Sequence, residues 1–206
     1  TKDERQAYGK VPTLSLGFGG ALGALVAMAT NYGVYLDTAT GTRVVDGWRE
    51  NNPWARRFWG KHDQNESYGL WGAINSAMEN PGDTFTAGRV AYVYDRSYMK
   101  GTIFCGLPSG RILTYPSIRW EHREVTDKRT KKVEEKYQLT FRKGYGRSAL
   151  WYGKLAENVT QAEAASVLRG TLKKLEYGMR EDLCADQGSL HLGWAWGGME
   201  EAPSLW

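Results

Sequence analysis

Between Ala21 and Asn31 the apolar residues Leu22, Leu25, Val26 and Met28 recur every three or four positions, the spacing of one helix face, and Gly33 follows as a stop signal. Residues 4 to 14 also read as helical. Pro12 has no amide hydrogen to give, so the pattern predicts a bend or a helix restart there. Gly17, Gly19 and Gly20 interrupt the period, giving a helix, glycine turn, helix arrangement. Two further helices are predicted at 42 to 52 and 54 to 79, divided at Pro53 and closed by the turn in ENPGD. Their aromatic residues, Trp48, Trp54, Phe58, Trp59, Tyr68 and Trp71, are expected to pack a core rather than to stack on bases.

After Thr84 the texture changes to strands, RVAYVYD, TIFCGL, RILTYP, IRWEHREV and KYQLTFRK, with turn signals between them. Helical spacing returns from about Gly153 to Tyr177, where Leu155, Val159, Ala162, Ala165, Leu168, Leu172 and Leu175 fall on one stripe. From Gly178 to Trp206 no period is convincing, and there is neither an internal repeat nor a low-complexity linker. The fold class is α+β.

With 206 residues and 41% hydrophobic content the chain can bury a core, which excludes an intrinsically disordered class. A net charge of +4 permits a polyanionic partner without requiring one. The charge is concentrated between Arg119 and Arg147, in Arg123, Lys128, Arg129, Lys131, Lys132, Lys136, Arg142 and Lys143. Such a stretch is either a solvated hairpin surface or one that faces nucleic acid. Cys105 and Cys184 stand far apart with no partner at metal-ligand spacing, which points to a reducing compartment, no structural zinc and no nucleophilic thiol. The opening TKDERQAYGK carries no signal core, and no apolar run approaches the roughly 20 residues that span a bilayer. A soluble, cytoplasmic protein with no membrane partner is therefore expected. The chain starts at Thr1 with a strong motif soon after, which suggests an internal piece of a longer protein.

The glycine-rich segment raises the question of a phosphate. A P-loop sets its glycines before a Lys-Ser or Lys-Thr pair, whereas Gly9-Lys10 is followed by Val11 and most glycines come later. A dinucleotide fold would make Leu14 to Leu16 a short strand, GFGGALG its turn and Asp37 the ribose ligand, but no second strand-helix unit follows. The third possibility is a helix that lays cations along a triphosphate. At about 100° per residue, Lys10, Leu14, Gly17 and Phe18 lie near one face, where a lysine could neutralise and protonate a pyrophosphate leaving group.

RQAYGKVPTLSLGFGGALGALVAMATNYGV resembles motif B of phage-type DNA polymerases of the polymerase I family (family A). The likeness continues in order through GWRENNPWARRFW, ENPGDTFTAGRVAYVYD with LPSGRILTYP, and YGKLAENVTQAEAASVL, which is similar to the palm segment of that family. It covers residues 4 to 177. The resemblance implies a helical fingers subdomain, an antiparallel strand insertion and part of a palm over 1–177, with 178–206 as a divergent tail. It further implies a DNA-directed DNA polymerase of phage replication, with primer-template DNA and a dNTP as partners. Lys10 would contact the triphosphate and act as general acid, and Arg5 would be its companion cation. Phe18 and Gly19 would lie near the nascent base pair, with Leu14 at the sugar-sensing position. Arg111, Lys154, Asn158 and Gln161 would meet the DNA minor groove or backbone.

Two departures qualify the implied roles. Arg5 lies five residues before Lys10 instead of four, so an ideal helix would point the two apart by about 140°, and Gln6 takes the expected slot. The family holds Mg2+ on two aspartates, one before motif B and one in a His-Asp-Glu turn after the long helix. Here His191 is followed by Leu-Gly, so the metal ligands are expected outside this segment, with a frameshift near Gly178 or a genuine alternative ending. A chain lacking them would be a catalytically inactive, nucleic-acid-binding or vestigial module.

Overall fold

The computed structural model describes residues 5–60, 68–126 and 133–186, with side chains omitted at 6–8 and 179–186. The basic residues Lys128, Arg129, Lys131 and Lys132, and His191 in the tail, lie outside the described residues. The chain enters as a π-helical turn, Arg5–Lys10, and passes directly into α1, Val11–Leu16. Pro12 sits in the first turn of α1, just after the change from π-helical to α-helical backbone, so the restart falls at the expected place. Next come α2 (Leu22–Asn31), α3 (Thr38–Asn51), α4 (Pro53–Trp59) and α5 (Gly69–Glu79). Asp37 is the N-cap of α3 and accepts from the Thr40 amide at 2.9 Å. Leu14 to Leu16 is helical, not a strand, and Asp37 is spent on its cap, so the dinucleotide arrangement does not exist here.

Among the described residues seven strands follow: β1 (Thr84–Ala87), β2 (Val90–Asp95), β3 (Thr102–Gly106), β4 (Ile112–Pro116), β5 (Arg119–Thr126), β6 (Val133–Lys143) and β7 (Gly146–Leu150). They form two antiparallel sheets in sequence order, β1-β2-β3-β4 and β5-β6-β7. The α+β class is thus present. The final element, α6, runs from Tyr152 to Asp186 without a break at Gly178.

The continuous helix expected over 54 to 79 is instead two helices. Gly60 closes α4 in the left-handed region at φ 71°, and Gly69 opens α5 at φ 64°. A Cβ on Gly69 would meet the Gly60 nitrogen at 2.6 Å, and one on Gly60 would run into the Tyr68 carbonyl. Backbone therefore packs on backbone at this junction, an approach that only glycine permits.

The larger core joins Trp59 of α4, Leu70 and Ile74 of α5, Tyr92, Ile103 and Tyr115 of the first sheet, Leu139 and Leu150 of the second, and Leu155 of α6. A smaller one collects Val11, Leu16, Leu25, Ala29 and Val45. Trp48 touches both, and its ring stacks on Trp59 at 6.0 Å. Trp48, Phe58, Trp59 and Trp71 thus pack the core as expected, whereas Trp54 is exposed. The chain divides into two compact units, 1–164 and 165–206. In the first, Leu155, Val159 and Ala162 are buried; in the second, Leu168, Leu172 and Leu175 are exposed, so the single buried stripe ends after Ala162.

Burial pushes the Cys105 thiol up to about 11 from an ordinary 9.0, and it drives the Tyr92 and Tyr115 hydroxyls upward as well. The folded state therefore holds a proton on Cys105 that the unfolded chain releases between pH 9 and 11. Stability from this group is complete below pH 9 and falls as pH rises towards 11. Denaturant titrations at stepped alkaline pH should show that decline, with a shallower slope in Cys105→Ala. At neutral pH, Gly69→Ala is expected to lower stability by more than about 1 kcal/mol, while Gly23→Ala, in open space on α2, should raise it by roughly 0.5–1 kcal/mol.

Candidate functional site

Arg5 and Lys10 are the first and last residues of the π-helical turn, and both are exposed. A π-helix is defined by i→i+5 hydrogen bonds, so five positions along it are separated by a smaller rotation than in an α-helix. From Lys10 onward the backbone is α-helical. Val11, Pro12, Ser15 and Leu16 are buried, and the opposite face presents Lys10 and Leu14, the latter 42% exposed. Thr13 and Ser15 return their hydroxyls to the carbonyls of Gly9 and Val11 at 2.9 and 2.8 Å, which spends both O–H donors inside the helix.

Lys10 is not free in solution. Its Nζ sits 4.8 Å from the centroid of the Tyr32 ring, at the C-terminal cap of α2, a cation–π contact across the α1–α2 pair. Tyr32 was not singled out by sequence, because a contact twenty-two positions away leaves no local period. Phe18 differs from the other members of the expected face. It is half-buried and packs against the larger core, so it does not share the open surface of Lys10 and Leu14.

The glycine turn wraps no phosphate. The amides of Gly17 and Gly19 are spent on Thr13 and Leu16 carbonyls at 3.0 and 2.9 Å. Its own carbonyls are captured in turn: Gly17 by the Trp59 indole at 2.9 Å, Gly19 by the Tyr152 hydroxyl at 3.4 Å, and Gly20 by Arg49 at 3.1 Å. Gly19 has φ 75°, and a Cβ there would strike the Tyr152 ring. The turn is a clasp that fixes the end of α1 to the start of α6.

A second group of residues lies on α6 and on the turn before β4. Asn158 donates to the Tyr115 hydroxyl on β4 at 3.1 Å, and Ser109 donates to Glu163 at 2.7 Å, pinning the Leu107–Arg111 turn to α6. Arg111 lies in sequence between these two anchors; its Nη2 is buried and finds no hydrogen-bond partner among the described residues. Lys154 is held by Glu157 at 2.8 Å, and Gln161 donates to the other oxygen of the same carboxylate at 3.3 Å. Glu157 therefore occupies both side chains. Its position three after Lys154 and four before Gln161 was a signal the sequence offered. Among the described residues no group of three or more His, Cys, Asp or Glu side chains is placed to hold a metal ion, and no helix is long and apolar enough to cross a membrane.

No family model matches the chain, and no solved structure matches it. Over 170 residues, or 82% of its length, it is 32% identical to the DNA polymerase of Bacillus phage SP02. The match spans 24% of that polymerase. The chain is related to a phage DNA polymerase.

Because the Lys10 ammonium lies over a ring face, the protons beside it feel the ring current of Tyr32. Replacing Tyr32 by Leu should move the Lys10 Hε resonances downfield towards their free-lysine position, and Tyr32→Phe should leave them in place. Unchanged resonances in Tyr32→Leu would show that the contact does not hold in solution.

Proposed function

We propose that this chain forms the fingers and part of the palm of a phage-type DNA polymerase of the polymerase I family. The whole enzyme would join a deoxynucleoside monophosphate to a primer 3′-hydroxyl and release pyrophosphate. The reading is supported by the relationship to a phage DNA polymerase, and the observation that carries it further is the π-helical turn that spans Arg5 to Lys10. The wider turn would offset the extra residue, so that the two cations could serve one triphosphate. In this reading Lys10 protonates the leaving pyrophosphate while Arg5 neutralises the outer phosphates. Leu14 lies beside the incoming sugar, and Phe18 and Gly19 back the nascent pair. Arg111, Lys154, Asn158 and Gln161 bind the primer-template along its minor groove or backbone.

Mg2+ would activate the 3′-hydroxyl and carry the triphosphate. The described residues offer no acidic cluster for it, and no step assigned here to the chain's own residues runs through the metal.

Binding of a labelled primer-template tests the DNA face. Glu157→Gln releases Lys154 and Gln161 and should tighten binding about threefold or more, whereas Lys154→Ala should weaken it and lower the salt slope by about one. Binding of a dNTP should fall about tenfold or more in Lys10→Ala, the loss of one charge-assisted contact. Neither variant changing its own ligand would defeat the reading. The 206-residue chain alone is expected to give no primer extension, and metal-dependent extension by it would overturn the expectation that its metal ligands lie elsewhere.

A further inference from the structure

The second sheet carries more aromatic surface than its core requires. Its edge strand β5 pairs with β6 so that Trp120 lies opposite Leu139, and His122 opposite Tyr137, all on one face. Leu139 ends the buried core, but the rings continue outward from it. Trp71 of α5 meets Trp120 edge-on at 6.1 Å; Trp120 stacks on Tyr137 at 5.2 Å; Tyr137 meets His122 at 4.8 Å. Trp120 is 38% exposed and Tyr137 60% exposed. Cross-strand aromatic pairs do stabilise hairpins. Exposure on this scale leaves ring surface available to a ligand.

The other face of the same sheet is cationic. Period two places Arg119, Arg123, Lys136, Arg142 and Arg147 there with only Glu121 and Glu134 against them among the described residues. Glu121 is already held by Arg119 at 2.9 Å and Arg147 at 3.2 Å, and Glu134 by Lys136 at 3.0 Å. Along the edge strand the order is therefore Arg119, Trp120, Glu121, His122, Arg123, with rings to one side and guanidinium groups to the other. The two arginines stand about 13 Å apart at roughly 3.3 Å per residue. Glu124 and Glu135 face the ring side one rung further out, where Glu135 pairs with His122 at 3.3 Å, and they mark the outer limit of the platform.

We propose that this edge of the β5–β6 hairpin is a stacking platform for a single strand of nucleic acid. Unpaired bases lie on the Tyr137 and Trp120 rings while the backbone passes the Arg119 and Arg123 side. A single strand offers flat apolar bases and a continuous phosphate charge along one line, and this edge offers the complement of both. A duplex keeps its bases inside its own stack and cannot use the rings. The site is separate from the triphosphate face and needs neither Lys10 nor Arg5.

The test is fluorescence anisotropy with the whole chain, using labelled oligothymidylate, labelled oligouridylate and a blunt DNA duplex. Single strands should bind through the platform, and Tyr137→Ala should weaken them about tenfold. Tyr137→Phe should retain binding, as should Tyr145→Ala, which removes an exposed ring on the β6–β7 turn. Arg123→Gln should lower the salt slope by about one. Whichever of the two strands binds more tightly identifies the natural ligand, and the same Tyr137 dependence must appear with it. Equal affinity for the blunt duplex would overturn the proposal. So would single-strand binding that ignores Tyr137→Ala but falls in Lys154→Ala, a result that leaves the polymerase reading intact.

Discussion

Three glycine carbonyls at the end of α1 receive hydrogen bonds from an indole on α4, a guanidinium on α3 and a phenol on α6. Each bond is worth only about 1 kcal/mol net, so their importance lies in register more than in total stability. Trp59 supplies the larger energy, since it is almost fully buried and stacked on Trp48, and its indole nitrogen needs an acceptor once it is there. Gly17 provides one. A side chain at Gly19 would collide with Tyr152, and one at Gly20 with the Ser15 carbonyl, so the close approach is open only to glycine. The clasp sets the face that carries Lys10 and Leu14 relative to the first turns of α6.

The sequence made the helices legible where their apolar period was complete, as in α2, and β2 to β6 where strand texture met clear turns. It failed where the physics is not periodic. The split between α4 and α5 depends on two glycines whose backbones touch, and a glycine in a helical pattern reads as a mild weakness, not as a break. β1 spans only four residues, and β7 reads Gly, Arg, Ser, Ala, Leu, a run without apolar and polar alternation. The apolar stripe of α6 reads as one surface because period cannot say which part of a long helix has a partner.

The candidate site shows the same division. Lys10 and Leu14 share an exposed face, as their spacing of four requires. Phe18, four residues further on, has turned into the core because the helix ends before it does. A period of 3.6 residues turns Arg5 away from Lys10. The π-helical turn changes that period locally, and nothing in residue identity announces one. Tyr32 approaches Lys10 through tertiary packing alone.

The cations of this chain are not equally available to an anion. Lys154 and Glu157 are both about one-third exposed, at 32% each, so solvent screens their pair, and such pairs contribute about 1 kcal/mol at most. Exchanging Glu157 for a phosphate is then nearly balanced for Lys154, and salt controls the outcome. Lys10 gives up a cation–π contact of similar size. Arg111 is in another position. Its Nη2 is buried without a hydrogen-bond partner among the described residues, a condition that costs about 1–3 kcal/mol. An acceptor oxygen that reached it would form a bond and remove that cost together. Of the residues proposed to meet DNA, the one whose folded state most favours a ligand is therefore Arg111, held in the turn that Ser109 and Glu163 fasten to α6.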